Sequence, residues 1–251
     1  MNTPERFLQK IRETFHIYLR YGCRSKKKTD YLHTWLAEDI QDCLPGCQVK
    51  IEQPVPSRNA KGTKDCDIVA FKDGSPAFIF PVKFIMTNYK QNKNNGWENL
   101  TGETLHLHWA NPDVHIIPIN IIFNKVPYCK KSSCIKNFEE INYNDSYKIT
   151  ECLVENGIAS QVVNYIIDVE HRCEIGNPYK SCPKILGFNS DTPFRSFHRI
   201  LRSRAPGPIQ PRPQPPLDPR IRALNNFEEF HGRPATLLEV EGSSAGIDGW
   251  A

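Results

Sequence analysis

A chain of 251 residues with 39% hydrophobic and 24% charged residues can hold one sizeable domain with appendages, or two small domains. Lys and Arg number 32 against 28 Asp and Glu, a formal charge of +4; residues 205–251 hold four Arg against six acids, so the basic excess lies in residues 1–204. The longest apolar runs, such as IIPINIIF, fall far short of the ~20 residues that span a bilayer, and MNTPERFLQKIRETF has no apolar stretch before a small-residue cleavage site, so a cytoplasmic protein with no membrane span is expected.

The elements follow in chain order. Residues 4–21 predict a helix: Thr3 caps it, Pro4 takes the first position, and Phe7, Leu8, Ile11, Phe15, Tyr18 and Leu19 step by three and four. After the basic loop CRSKKKTD, a second helix carries the stripe Leu32, Trp35, Leu36, Ile40, Cys43, Leu44 and ends at Pro45-Gly46. Strands are predicted over 47–55 and 67–73, with the loop SRNAKGTK between them. The turn Lys72-Asp73-Gly74-Ser75 leads into a third strand, 76–86, whose continuous apolar character fits a strand covered on both faces. TNYKQNKNNG, 87–96, reads as a polar loop, 97–110 as a helix stopped by Asn111-Pro112, and 113–123 as a strand with Pro118 at an edge or bulge. Beyond 125 only a helix near 145–156 and a strand over 162–171 are legible.

From residue 205 the composition changes. APGPIQPRPQPPLDPR holds seven prolines in sixteen residues, the mark of an extended polyproline linker, and the rest to Ala251 is expected to be disordered or to form one short helix. The domain reading is therefore 1–204 plus a Pro-rich tail, 205–251.

The chemistry concentrates in KDCDIVAFKDGSPAFIFPVKF, residues 64–84. Two adjacent strands joined by a tight turn bring Asp67 and Lys83 toward one spot. Alternation along the second strand puts Pro81 and Lys83 on one face and Phe80, Val82 and Phe84 on the other. A carboxylate that holds a divalent ion beside a lysine that stabilises charge or orients water is what phosphodiester hydrolysis needs.

Residues 29–124, with the order α-β-β-β-α-β, resemble the core of the PD-(D/E)XK nuclease superfamily, and within it the type II restriction endonucleases. The stretch PVKFIMTNYKQNKNNGWENLTGE is similar to that family's motif strand and following helix. The resemblance implies an α/β restriction-endonuclease-like fold, a mixed sheet flanked by helices. It implies Mg²⁺-dependent cutting of double-stranded DNA, with Mn²⁺ able to substitute, by a homodimer. Asp67 takes the place of the metal-binding Asp and Lys83 that of the motif Lys. Pro81 stands where the motif acid belongs, and it has no side-chain oxygen to ligate a metal. Glu98, fifteen positions after Lys83, is the expected replacement, with Glu103, Asp65 and Glu52 as alternatives and Glu38 as a weaker helper. The rival expectation is an inactive DNA-binding or assembly module on the same fold.

For DNA contacts the sequence offers Arg24, Lys26, Lys27 and Lys28 in one basic loop, and Lys64, Lys90 and Lys93 near the site. Nine cysteines form no C-x-x-C pair and are expected as free thiols; Cys129, Cys134, Cys173 and Cys182 are the remaining candidates for zinc. No phosphate-loop, dinucleotide, nucleophile-elbow or H-E-x-x-H pattern is present.

Overall fold

The computed structural model describes residues 3–22, 25–129 and 134–202. The chain divides into two units, Met1–Gly207 and Pro208–Ala251; the second lies outside the described residues, as do the tail expected from 205 onward and Arg24. Among the described residues no helix is long and apolar enough to cross a membrane.

Helix α1, Pro4–Tyr21, forms as its sequence dictates. The Thr3 hydroxyl accepts the Arg6 N–H, Phe7, Ile11 and Phe15 are buried, and Gly22 ends it at φ +83°. Helix α2, Lys27–Gln41, buries Leu32, His33, Trp35, Leu36 and Ile40. The pair is locked edge-to-face by Phe7 on Trp35, centroids 5.0 Å apart, and by Lys10 Nζ, 3.0 Å from Tyr31 Oη. Each fully buried aliphatic or aromatic side chain of this kind contributes roughly 1.5–3 kcal/mol.

The sheet is mixed. Strands β1 (Gln48–Pro56), β2 (Thr63–Lys72) and β3 (Ser75–Phe80) run antiparallel, and β3 pairs in parallel with the short β5 (His115–Ile116). Strand β4 (Val82–Ile85) pairs in parallel with β6 (Ile119–Phe123), β6 in parallel with β9 (Val163–Glu170), and β9 antiparallel with β10 (Lys184–Phe188). The two halves share one register. Phe78 faces His115, Val82 faces Ile119, and Pro81 therefore stands level with Pro118. The Ile117 N–H donates to Ile79 O and the Ile119 N–H to Pro81 O, both at 2.8 Å, so backbone pairing bridges the interruption. Two prolines side by side lack the donors that would close it.

The strands expected over 76–86 and 113–123 are thus each split at a proline. Pro118 lies in the sheet interior at this break, between β3/β4 and β9, rather than on an edge strand. Strand β2 starts at Thr63, so Lys64 and Asp65 belong to it.

Helix α3 spans Tyr89–Ala110 and absorbs most of the predicted loop 87–96. Its start is fixed by distant parts of the chain. Asn88 (φ +54°) donates its amide to Cys129 O and accepts the Cys129 N–H, and Glu139 accepts the Lys90 N–H at 3.1 Å. A carboxylate at a helix N-terminus satisfies free donors and the helix dipole together.

The hairpin β7 (Lys125–Cys129) and β8 (Ile135–Glu140), and helix α6 (Phe197–Arg202), were not anticipated; the predicted helix near 145–156 is α4 (Tyr143–Ser146) and α5 (Lys148–Glu155). A large core joins the buried faces of α1 and α2 to Ile68, Phe80, Ile121, Phe123 and Tyr165. A smaller one gathers Val55, Cys66, Val69, Ile79, Leu107 and Ile116.

Candidate metal centre

The site forms where β2 and β4 part. The register that pairs Ile68 with Phe80 ends there, and the Val82 N–H is left without a strand partner on that side. Asp67 supplies one: its Oδ2 accepts the Val82 N–H at 2.6 Å. That bond holds one carboxylate oxygen and leaves Oδ1 facing His33, whose Nε2 is 4.0 Å away.

Glu52 completes the group. It lies on β1 between Ile51, paired with Ile68, and Gln53, paired with Cys66, so it stands opposite Asp67. Two carboxylates directly across an antiparallel pair would repel. The backbone turns instead: Glu52 has φ +50°, and its Oε1 meets His33 Nδ1 at 2.9 Å. A glutamate with positive φ inside a strand is strained, at a cost on the order of 1–3 kcal/mol, and such strain concentrates at functional sites. Because a carboxylate accepts, Nδ1 donates to Glu52 and Nε2 is the ring nitrogen left facing Asp67. One ligand atom from each of His33, Glu52 and Asp67 lies within 4.8 Å of the others, and theirs is the one such group among the described residues.

His33 is 2% exposed, so its imidazole is held by packing on α2 as well as by Glu52. It is the candidate ligand that sequence reasoning missed. The available signal was a histidine inside an apolar helical face, beside Leu32 and one turn before Leu36 and Ala37.

On the other side of Lys83 is Glu103. Its carboxylate lies 3.8 Å from both Lys83 Nζ and Lys64 Nζ, and its side chain is 13% exposed. Burial pushes the Glu103 carboxyl above the usual glutamate range, the two lysines pull it back, and Asp67 pushes it up again. Cys66, buried beneath, is pushed up to about 12 by the same burial, with Glu103 and Asp67 adding to it.

The expected replacement acid is differently placed. Glu98 is exposed on α3, and Glu103 is the helix acid beside Lys83. Asp65 and Glu38 are exposed and outside the group with His33; of the alternatives, Glu52 belongs to it.

Two clefts meet at Lys83. One, of about 290 Å³, is lined by Lys28, Leu32, His33, Lys93 and Trp97 among others. The second, of about 360 Å³, is lined by Asn59, Lys64, Asn99, Glu103 and His106. Of the residues expected to meet DNA, Lys28, Lys64 and Lys93 therefore border the site; Lys26, Lys27 and Lys90 are exposed farther out. Lys83 also stands level with Asn120, and Asn120 with Asn164. The Asn120 amide donates to Asn164 at 2.8 Å, while its Oδ1 is buried and unpartnered.

The four candidate zinc cysteines do not assemble: no three of them come together as ligands, and Cys173 instead hydrogen-bonds Ser181. All four are free thiols.

Compared with known proteins, the chain matches no family model, no curated protein and no solved structure.

Proposed function

We propose that this protein is a metal-dependent phosphodiesterase that cuts double-stranded DNA on a restriction-endonuclease-like core, α2-β1-β2-β3/β4-α3-β5/β6. The observation that carries the reading is the convergence of His33, Glu52 and Asp67 within 4.8 Å, beside a lysine that is itself held by a buried glutamate. One imidazole and two carboxylates suit a divalent ion, and the imidazole favours Mn²⁺ over the all-oxygen preference of Mg²⁺.

A divalent ion held there would lower the pKa of a water and offset charge on the phosphate. The protein groups do the rest. Glu52, hydrogen-bonded to His33 Nδ1, also fixes the direction of the imidazole. Asp67 is aimed by the Val82 N–H. Lys83, held in place by Glu103, faces the charge that builds on the phosphate oxygens. Lys28, Lys64 and Lys93 line the approaches for the DNA backbone. A homodimer would bring two such centres to the two strands.

The rival reading, a DNA-binding module without catalysis, draws on Pro81 at the motif acid's place. Incubation of supercoiled plasmid with Mn²⁺ or Mg²⁺ separates the two. The enzyme reading expects nicking that falls at least 100-fold in His33→Ala, Asp67→Ala and Lys83→Ala. Wild-type protein that binds duplex and Mn²⁺ yet cuts nothing would establish the rival.

A further inference from the structure

We infer that the basic cleft between α1 and the segment joining β9 to β10 is a second phosphate-binding site, which grips the backbone of a DNA duplex engaged at the metal centre. The inference rests on the proposed function, and the cleft is lined by none of the residues named for it above.

The cleft measures about 530 Å³, and Arg12, His16, Arg172, Lys180 and Lys184 line it with no acid among the lining residues. Lys184 is paired with Glu170 at 3.8 Å. Arg12, Arg172 and Lys180 take part in no ion pair among the described residues, and all three are exposed. The charges converge. Burial pushes the Cys182 thiol up, and the Arg12 and Arg172 guanidiniums both pull it down, so both act on one sulfur in the cleft wall. Cations gathered in a concave surface without counter-charge focus a positive potential and attract polyanions. The fork geometry of arginine suits phosphate oxygens.

The position of the cleft selects the ligand. Arg12, His16 and Arg20 follow one another at intervals of four on α1 and form one exposed stripe. The stripe leads toward Lys27, whose ammonium lies 4.0 Å from the Tyr21 ring centre, and then to Lys28, which lines the cleft beside His33. The Lys10–Tyr31 contact sets the corresponding turns of α1 and α2 level. Across the sheet, β4, β6, β9 and β10 are successive neighbours, so Lys184 lies about 14 Å to the side of Lys83 at ~4.8 Å per strand. Lys83 is level with Asn164 on β9 and Lys184 with Glu170, ~20 Å farther along the strand, so the two lie roughly 25 Å apart, about seven base pairs of duplex at ~3.4 Å each. A single free phosphate would need neither the stripe nor its alignment with the metal centre.

The test uses the Arg12→Ala/Arg172→Ala/Lys180→Ala variant of the full chain, whose substituted side chains are exposed. A fluorescein-labelled duplex of about 30 base pairs is titrated in EDTA at salt between about 50 and 300 mM, so that binding is read without cutting. The variant is expected to lose roughly 2–3 from the slope of log affinity against log salt, at about 0.9 per phosphate contact, and at least tenfold in affinity at the middle of that range. Its Mn²⁺ binding is expected to equal wild type, and His33→Ala to keep the full salt slope. An unchanged slope in the triple variant, with metal-dependent cutting intact in wild type, would overturn this inference alone. A reduced slope with no cutting by wild type would sink the catalytic reading and leave the second site standing. Pyrophosphate binding that the triple variant loses, in a protein that binds no duplex, would overturn both.

Discussion

The strain at Glu52 gives a prediction in which the usual order of two substitutions reverses. Within a strand, Gly is normally less stable than Ala by roughly 0.5–1 kcal/mol, because it loses more freedom on folding. Glu52 has φ +50°, where a Cβ costs about 1–2 kcal/mol and glycine pays nothing. Its side chain is 53% exposed, so neither substitution opens a cavity, and both delete the hydrogen bond to His33 equally. In EDTA, Glu52→Gly is therefore expected to exceed Glu52→Ala by about 1 kcal/mol, which is about 2–4 °C in Tm for a domain of this size. With Mn²⁺ the order should change. Wild type should gain about 2.7 kcal/mol at 100 times its Kd, while both variants gain much less, because each lacks one of the three candidate ligands. Differential scanning calorimetry with and without metal, alongside Mn²⁺ titration, reads both effects. If Ala is as stable as Gly, the backbone strain is not there; if Mn²⁺ raises all three Tm values equally, the strain serves no metal.

Other predictions follow from the same geometry. Glu98→Ala should leave cutting within about twofold, whereas Glu103→Gln should lower it at least tenfold by freeing Lys83, a loss of at least ~1.4 kcal/mol in activation energy that plasmid nicking rates resolve. The same Glu103→Gln change should alter stability with pH. A carboxyl whose folded pKa is raised holds its proton more tightly in the fold, so wild type loses stability as pH rises from the ordinary glutamate range through the raised value, and is level above it. Urea denaturation should then find the variant gaining on wild type over that window, and a constant difference across it would remove the burial argument. Asn164→Ala should cost about 1–3 kcal/mol by stranding the buried Asn120 and Thr150 groups it now joins, measurable as a lower urea midpoint with unchanged slope.

Where local rules governed, the sequence was readable. Helix α1 has its cap, its proline and its apolar stripe within one segment, and it forms as they direct. The turn at Asp73-Gly74 and strands β1 to β3 are likewise local. What escaped depends on distant partners. The first turns of α3 consist of polar residues that read as loop, and they become helix because the β7–β8 hairpin, far away in sequence, accepts their donors: Asn88 N–H goes to Pro127 O, the Asn88 amide to Cys129 O and Lys90 N–H to Glu139. The approach of Asp67 to β4, where it accepts the Val82 N–H next to Lys83, was legible because one short turn joins the two strands. Glu52 and His33 were harder to see: their roles depend on a positive φ in β1 and on the packing of α2 over it, neither of which is written in residue spacing. That Glu103 rather than Glu98 stands beside Lys83 was hidden for a similar reason, since the angular position of a helix acid over a sheet is set only when the helix is docked.

Pro81 looks different once the sheet is seen. As a motif residue it is a missing ligand; in the fold it is one of two level prolines at the point where β2 leaves β4. A proline offers no N–H to β2, and the divergence leaves the next donor, Val82 N–H, to be satisfied by a side chain. Asp67 does this with Oδ2 and thereby presents Oδ1 to His33. The break that removes the acid thus also orients the remaining one, and Glu52 and His33 supply carboxylate and imidazole from the opposite side. It follows that Pro81→Glu is not a simple repair. The position is buried, and a carboxylate there would enter beside Asp67 and Glu103, where burial and, to a smaller degree, Asp67 already raise the Glu103 carboxyl. The change is expected to destabilise the metal-free protein by about 1–3 kcal/mol, as an unpaired buried polar group does, and to recover most of that loss only when Mn²⁺ is bound. Thermal melts of Pro81→Glu with and without Mn²⁺ decide it: a variant as stable as wild type in EDTA would mean that Pro81 fills a gap and orients nothing.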